Sequence, residues 1–186
     1  MKNVLKPFLL LTCITFCLSS CEALKPLDRN DISYNRAAHK KRGSAAAKSP
    51  KTEISQLRFD IADYAKNYIG TRYRYASTNP NAGFDCSGFT SYVMGNFDIK
   101  MPHGSDNQAI LGNRIDVQQA RPGDLLFFGN RGRISHVAMV VANTPEDGLQ
   151  IAHSTNSQGV IVENVYSSDY WMNKLMFARD VIDGRK

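Results

Sequence analysis

Four cysteines and four histidines are the side chains in this 186-residue sequence best suited to serve as nucleophile, base or metal ligand. Cys86 follows Asp85 at the expected start of a helix, where unpaired N–H groups and the helix dipole favour a thiolate. His136 opens the run His-Val-Ala-Met-Val-Val, and His153 closes Leu-Gln-Ile-Ala-His. A helix-start Cys, a strand His as base and a second polar residue orienting that imidazole meet the needs of a nucleophilic triad, whose members meet only in space. Plainer readings stay open: Cys86 as a small buried hydrophobe, and each histidine as a hydrogen-bonded core or rim residue. The polar, turn-forming Asp85-Cys86-Ser87-Gly88 speaks against the first. His39, set among Lys and Arg, reads as a solvated residue. Zinc is disfavoured, because no C-x-x-C, no H-E-x-x-H and no short-range ligand pair seeds a site. Gly83 and Gly88 flank the Cys without a following Lys, so no phosphate loop is formed and no cofactor is expected.

The other cysteines sit at the N-terminus. Lys2 and Lys6, an apolar run from Phe8 to Leu18 and small Ser19 and Ser20 read as a secretory signal over residues 1–20. Leu18-Ser19-Ser20-Cys21 resembles the bacterial lipobox, in which the Cys carries lipid and becomes the first mature residue; a plain signal peptide containing cysteines is the alternative. Cys13 and Cys17 would leave with the signal and Cys21 would be capped. Cys86 is then the one free thiol, which excludes a disulfide scaffold.

Helices and strands must hold these residues. Ile54, Leu57, Ile61, Tyr64, Ala65 and Tyr68 follow 3/4 spacing and predict a helix stopped by Gly70. Residues 71–85, rich in Asn, Gly, Ser and Pro, read as a loop. A second helix is expected from Cys86 to Asn96, burying Phe89, Tyr92 and Val93. Strands are expected at 124–128, 136–141, 149–153, 160–165 and 176–181, with turns at Gly129-Asn130 and Asp147-Gly148. In such a strand His136 shares a face with Ala138 and Val140. Helices followed by an antiparallel strand series make an α+β fold.

The formal net charge of +6 raises the question of a nucleic-acid or anionic-membrane partner. The signal holds two basic residues, residues 22–53 hold eight basic against four acidic, and residues 54–186 hold 13 of each. All the excess lies outside the folded part, so nucleic acid is not expected. The segment 22–53 reads as a flexible basic tether with too few apolar groups to offset its ordering entropy, solvated or touching lipid headgroups.

Five strings together resemble the NlpC-type cell-wall cysteine peptidases: Gly-Thr-Arg-Tyr-Arg-Tyr (70–75), Gly-Phe-Asp-Cys-Ser-Gly-Phe (83–89), Arg-Pro-Gly-Asp-Leu-Leu-Phe-Phe (121–128), Ser-His-Val-Ala-Met-Val (135–140) and Ile-Ala-His-Ser (151–154). The sequence is most similar to short single-domain murein endopeptidase lipoproteins. The resemblance implies a papain-like fold over residues 54–186, helices packed on an antiparallel sheet, after a signal (1–20) and a lipidated Cys with its tether (21–53). It implies Cys86 as nucleophile, His136 as base and His153 as the third polar residue. Tyr73, Asp85, Ser87, His103 and Gln108 match positions for oxyanion or substrate contact. The implied substrate is the peptidoglycan stem peptide, cut beside a D-amino acid, and the implied location is the cell envelope, with the membrane reached through lipid on Cys21.

The sequence departs from the family pattern in four places, two of them in length: the loop to Cys86 is long by about one residue, and 144–147 lengthens the turn before His153. Ala76-Ser77 replaces a usual Gly-Gly, and His103 stands where the family has Arg. Two other functions remain open: a non-catalytic wall-binding or scaffolding lipoprotein, and a papain-like amidase or acyltransferase on another substrate.

Overall fold

The computed structural model describes residues 49–183. The expected signal, Cys21 and all but the end of the tether lie outside the described residues. Helix α1 (Pro50–Lys66) starts four residues ahead of Ile54, because Ser49 and Pro50 form a helix start that apolar spacing does not show. The Ser49 hydroxyl accepts from the Thr52 N–H, and proline at the first helical position forfeits only an N–H that has no partner there. Ile54 is exposed, while Arg58, one turn on, is buried. Its guanidinium donates to Asp124 and Asp180, each at 2.6 Å, and to Asp183 at 3.0 Å.

The stretch expected as a plain loop contains a small hairpin, β1 (Thr78–Asn79) with β2 (Gly83–Phe84), and Tyr73 bridges Phe84 along its side. Helix α2 (Cys86–Gly95) follows, close to its expected span, burying Phe89 and Val93 and half-burying Tyr92. Its N-cap is Asp85, which accepts from the Gly88 N–H at 2.6 Å. Residue 88 must be glycine because a Cβ there would lie 2.0 Å from the Ser77 carbonyl oxygen.

A short helix α3 (Ser105–Gln108) leads to six strands: β3 (Asn113–Ile115), β4 (Leu125–Asn130), β5 (Arg133–Thr144), β6 (Gly148–Thr155), β7 (Gly159–Asn164) and β8 (Leu175–Asp180), with a one-turn helix α4 (Asp169–Met172) before the last. They form one antiparallel sheet in the order β3-β8-β4-β5-β6-β7. The α+β reading holds; β3 is a strand that its short polar sequence did not reveal. The turn expected at Gly129-Asn130 falls instead at Arg131-Gly132, both at positive φ. Gly129 sits at a register shift inside the β4–β5 ladder, where a Cβ would meet the Arg133 carbonyl oxygen at 1.9 Å.

Alternation divides the sheet into two apolar faces. Leu125, Phe127, Val137, Met139 and Ala152 pack with Ile61, Phe89 and Val93 of the two long helices. Leu126, Phe128, Ala138, Val140 and Ile151 form the other face, half-covered by Trp171 of α4.

Candidate active site

Strands β5 and β6 pair from Thr144↔Gly148 as far as Met139↔Ala152. His136 and Val137 lie beyond that last pair, and so do His153 and Ser154 on β6, which continue paired only with β7. The start of α2 enters this fork. The Ser154 hydroxyl donates to the Phe84 carbonyl at 2.7 Å, fixing the strand before the helix, and a backbone donor from Val137 reaches the Cys86 sulfur. Cys86 is half-buried, with further backbone donors from Ser87 and its own N–H. Burial, and then the Asp85 carboxylate, push its thiol above the ordinary value against those donors. The helix start therefore supplies donors without making a resting thiolate; enclosure outweighs them.

His136 Nε2 lies 2.8 Å from His153 Nδ1, with the rings edge-on. His153 is fully buried, and burial pushes it down to about 4. Burial, then the neighbouring His153, push His136, a half-buried residue, down to about 3. Both imidazoles are neutral at pH 7. His136 precedes Val137, the residue whose backbone donor reaches the Cys86 sulfur, and its neutral imidazole is a base chemically matched to a protonated thiol.

Tyr73 is half-buried beside the nucleophile. Its own burial, and then the charges of Cys86 and Asp85, hold the phenol above its usual range, so it is a donor at neutral pH. Asp85 spends both carboxylate oxygens inside the chain: Oδ1 accepts from Gly88 N–H and Ser87 Oγ, and Oδ2 accepts from Ala76 N–H at 2.8 Å. His103 Nε2 completes the set at 3.1 Å from Oδ2 and remains exposed. Ser87 is buried and accepts from the Gly104 N–H. Gln108 is fully buried; its amide joins Thr90, Ser91, the Ser87 carbonyl and the Pro102 carbonyl. Gln108 therefore supports the site from behind, correcting the expectation of a substrate contact there.

The Ala76-Ser77 departure has a measurable consequence. Ala76 holds a left-handed φ of 54° in order to donate to Asp85. That conformation costs a residue with a Cβ about 1–2 kcal/mol, and glycine's extra freedom in the unfolded chain offsets part of the gain. Ala76→Gly is expected to stabilise the fold by roughly 0.5–1 kcal/mol, read as a higher denaturant midpoint at unchanged slope.

A family model described as NlpC/P60 matches residues 70–180, more than half of the sequence. The chain belongs to the NlpC/P60 family. The gamma-DL-glutamyl hydrolase of Bacillus subtilis is 37% identical over 121 residues, covering 65% of this chain and 29% of that protein. The probable endopeptidase NlpC of Escherichia coli is 34% identical over 118 residues, covering 60% of this chain and 73% of that protein. A solved NlpC/P60 family protein from Bacillus cereus superposes with a TM-score of 0.61 at 27% identity, covering 67% of this chain and 40% of that one. The chain thus spans less than a third of the Bacillus subtilis relative, and the papain-like fold is the shared part.

Within this NlpC/P60 domain the structure brings Cys86, His136 and His153 to one fork, with Tyr73, Asp85, Ser87 and His103 around the helix start. Two neighbours escaped the sequence reading. Glu163 of β7 lies 2.6 Å from His153 Nε2, and the Trp171 indole N–H donates to the same carboxylate oxygen at 2.7 Å. Trp171 also stacks on His136, with ring centroids 4.8 Å apart. Trp171 is the one tryptophan in the sequence, and Glu163 falls two residues after Ile161 on an alternating strand. Those signals mark a face without naming its partners.

Proposed function

We propose that this chain is a peptidoglycan hydrolase, a cysteine endopeptidase that cuts an amide bond of the murein stem peptide through a thioester on Cys86. The observation that carries this reading is Cys86 at the first residue of a helix whose start meets the fork at Val137, next in the chain to His136, which is bonded to His153. His136 accepts the Sγ proton as sulfur adds to the substrate carbonyl carbon. Cleavage of the C–N bond follows as that proton passes to the departing amine, leaving the thioester. Water, giving a proton to His136, then adds to the thioester, and the C–S bond breaks as the thiol recovers its proton. First-turn N–H groups of α2 and the Tyr73 hydroxyl are the oxyanion donors, and His153 orients the base. Asp85, already engaged, meets a cationic substrate amine through its field and through His103.

The gamma-DL-glutamyl linkage in the name of the Bacillus subtilis relative favours the D-glutamyl–diaminopimelate bond over a D-alanyl–diaminopimelate crosslink. On this reading the chain is held in the bacterial cell envelope by lipid on Cys21, with residues 22–53 as its leash. The test incubates the full-length protein and Cys86→Ala with purified crosslinked and uncrosslinked muropeptides and reads the products by mass spectrometry. Wild type is expected to release fragments cut beside a D-amino acid, and the variant none. Identical profiles would overturn the peptidase and favour a wall-binding lipoprotein. Products joined to an added amine in place of water would make the chain an acyltransferase.

A further inference from the structure

Glu163 Oε1 has two neighbours, and both can only donate to it. Trp171 Nε1 carries its single hydrogen, and His153 Nε2 at 2.6 Å must carry one to bond a carboxylate. His153 is neutral at pH 7, so its Nδ1 then holds a lone pair. The atom 2.8 Å from that lone pair, His136 Nε2, must in turn be the donor. Neutral His136 is left with its Nδ1 unprotonated, as a base for the Cys86 thiol requires. The tautomers of His153 and His136 both follow from one glutamate oxygen.

We propose that Glu163 is a positioning residue for the reaction, acting through His153 to fix the tautomer of His136. This rests on the cysteine-peptidase reading and adds a fourth member to its relay. The carboxylate belongs to β7, one strand beyond His153, and is half-buried. Trp171 closes the arrangement from α4, its ring stacked on His136 and edge-on to His153 at 5.0 Å. Without Glu163, His153 loses the acceptor that selects its Nε2–H form. The Nδ1–H form would present a hydrogen to His136 Nε2, forcing the His136 proton onto Nδ1. His136 would then face the thiol as a donor.

Titratable groups on the elements around this relay include Glu163 of β7, Tyr170 of α4 packed on Trp171, and Tyr73, Asp85 and Cys86 around the start of α2. Among the described residues, Glu163 is the one of these that bonds an imidazole.

The test compares the full-length protein with Glu163→Gln and Glu163→Ala. Glutamine keeps one carbonyl oxygen, and because both neighbours are donors, its amide must turn that oxygen toward them. The first readout needs no substrate: the rate of iodoacetamide labelling at the Cys86 peptide, followed by mass spectrometry from pH 5 to 9. The second is kcat and KM on the muropeptide that wild type cleaves best. Glu163→Ala is expected to label about ten-fold more slowly at pH 7 and to lose about ten-fold in kcat, with KM within two-fold. Glu163→Gln is expected to stay within three-fold of wild type in both. A Glu163→Ala protein that labels and turns over like wild type overturns the proposal, and so does a Gln variant as impaired as Ala. If no muropeptide is cleaved by wild type but the labelling pattern appears, the positioning role stands and the peptidase reading fails.

Discussion

His136→Ala is expected to lower kcat for stem-peptide cleavage by about a thousand-fold, with KM altered far less, because a general base acts in the transition state. The thiol it serves is not ionised at rest: burial and Asp85 raise it, and the backbone donors at the fork do not reverse that. Without an acceptor for its proton, only the small thiolate fraction supplied by solvent can attack. The pH profile distinguishes this from loss of structure. In wild type, burial and the neighbouring His153 hold the imidazole far below the ordinary histidine value, at about 3. Lowering the pH protonates the base and removes activity only below about 6.5, so the acid limb of kcat/KM should lie there. In His136→Ala that limb should vanish, and the residual rate should climb with pH toward the raised thiol value. Cys86→Ala combined with His136→Ala should be no worse than Cys86→Ala alone, because the two act as a unit. Retention of more than a tenth of wild-type kcat by His136→Ala would sink the assignment of the base.

Why the nucleophile and imidazoles were legible while their supports were not is a matter of range. Cys86 announces itself locally: Asp85 caps the helix and Gly88 lets the first turn approach Ser77, so the surrounding string carries its own geometry. His136 and His153 show as polar ends of apolar strands, since alternation is a two-residue property. Glu163 and Trp171 act through contacts set by strand order and by a one-turn helix, and no short-range period encodes those. Gln108 was misread for a related reason. A polar residue near the expected cleft can as well be a buried spacer, and its four internal bonds, three to α2 and one to Pro102, are visible only once that helix and the 102–104 segment are in place. The Gly129 bulge likewise looks like a turn in sequence, because glycine serves both needs.

Arg58 is the hardest residue to place from its neighbours, since it interrupts the apolar stripe of α1, and its removal should cost as much stability as truncating a large side chain of the sheet–helix core. Its side chain is 4% exposed, while that of Asp124 is 0% exposed and that of Asp180 is 6%. It joins three distant parts of the chain: helix α1, the residue just before β4, and the end of β8. Arg121 also reaches Asp180 at 2.8 Å, so Asp180 keeps a cation when Arg58 is lost. Asp124 keeps the Arg121 backbone N–H at 2.8 Å, but its remaining cation is the Arg121 guanidinium, whose Nε is 3.9 Å away on a side chain 47% exposed. Leaving such a carboxylate in an apolar setting without its partner costs about 3–5 kcal/mol, against a total stability of about 5–15 kcal/mol. Arg58→Ala is therefore expected to lower the unfolding free energy by about that amount at pH 7. The pH dependence follows from Asp124, which burial already pushes above the ordinary carboxylate value while Arg58 opposes the rise. With Arg58 gone, the folded state binds the Asp124 proton more tightly than the unfolded chain does. Stability then falls as pH rises between the two values, so the variant should recover toward pH 5 relative to pH 7. Adding Asp124→Asn, which removes the orphaned charge, should restore part of the loss at pH 7 and flatten that dependence. A loss below about 1 kcal/mol in Arg58→Ala, as expected of a surface pair, would show that the cluster is screened by solvent and that α1 is held by its apolar contacts alone.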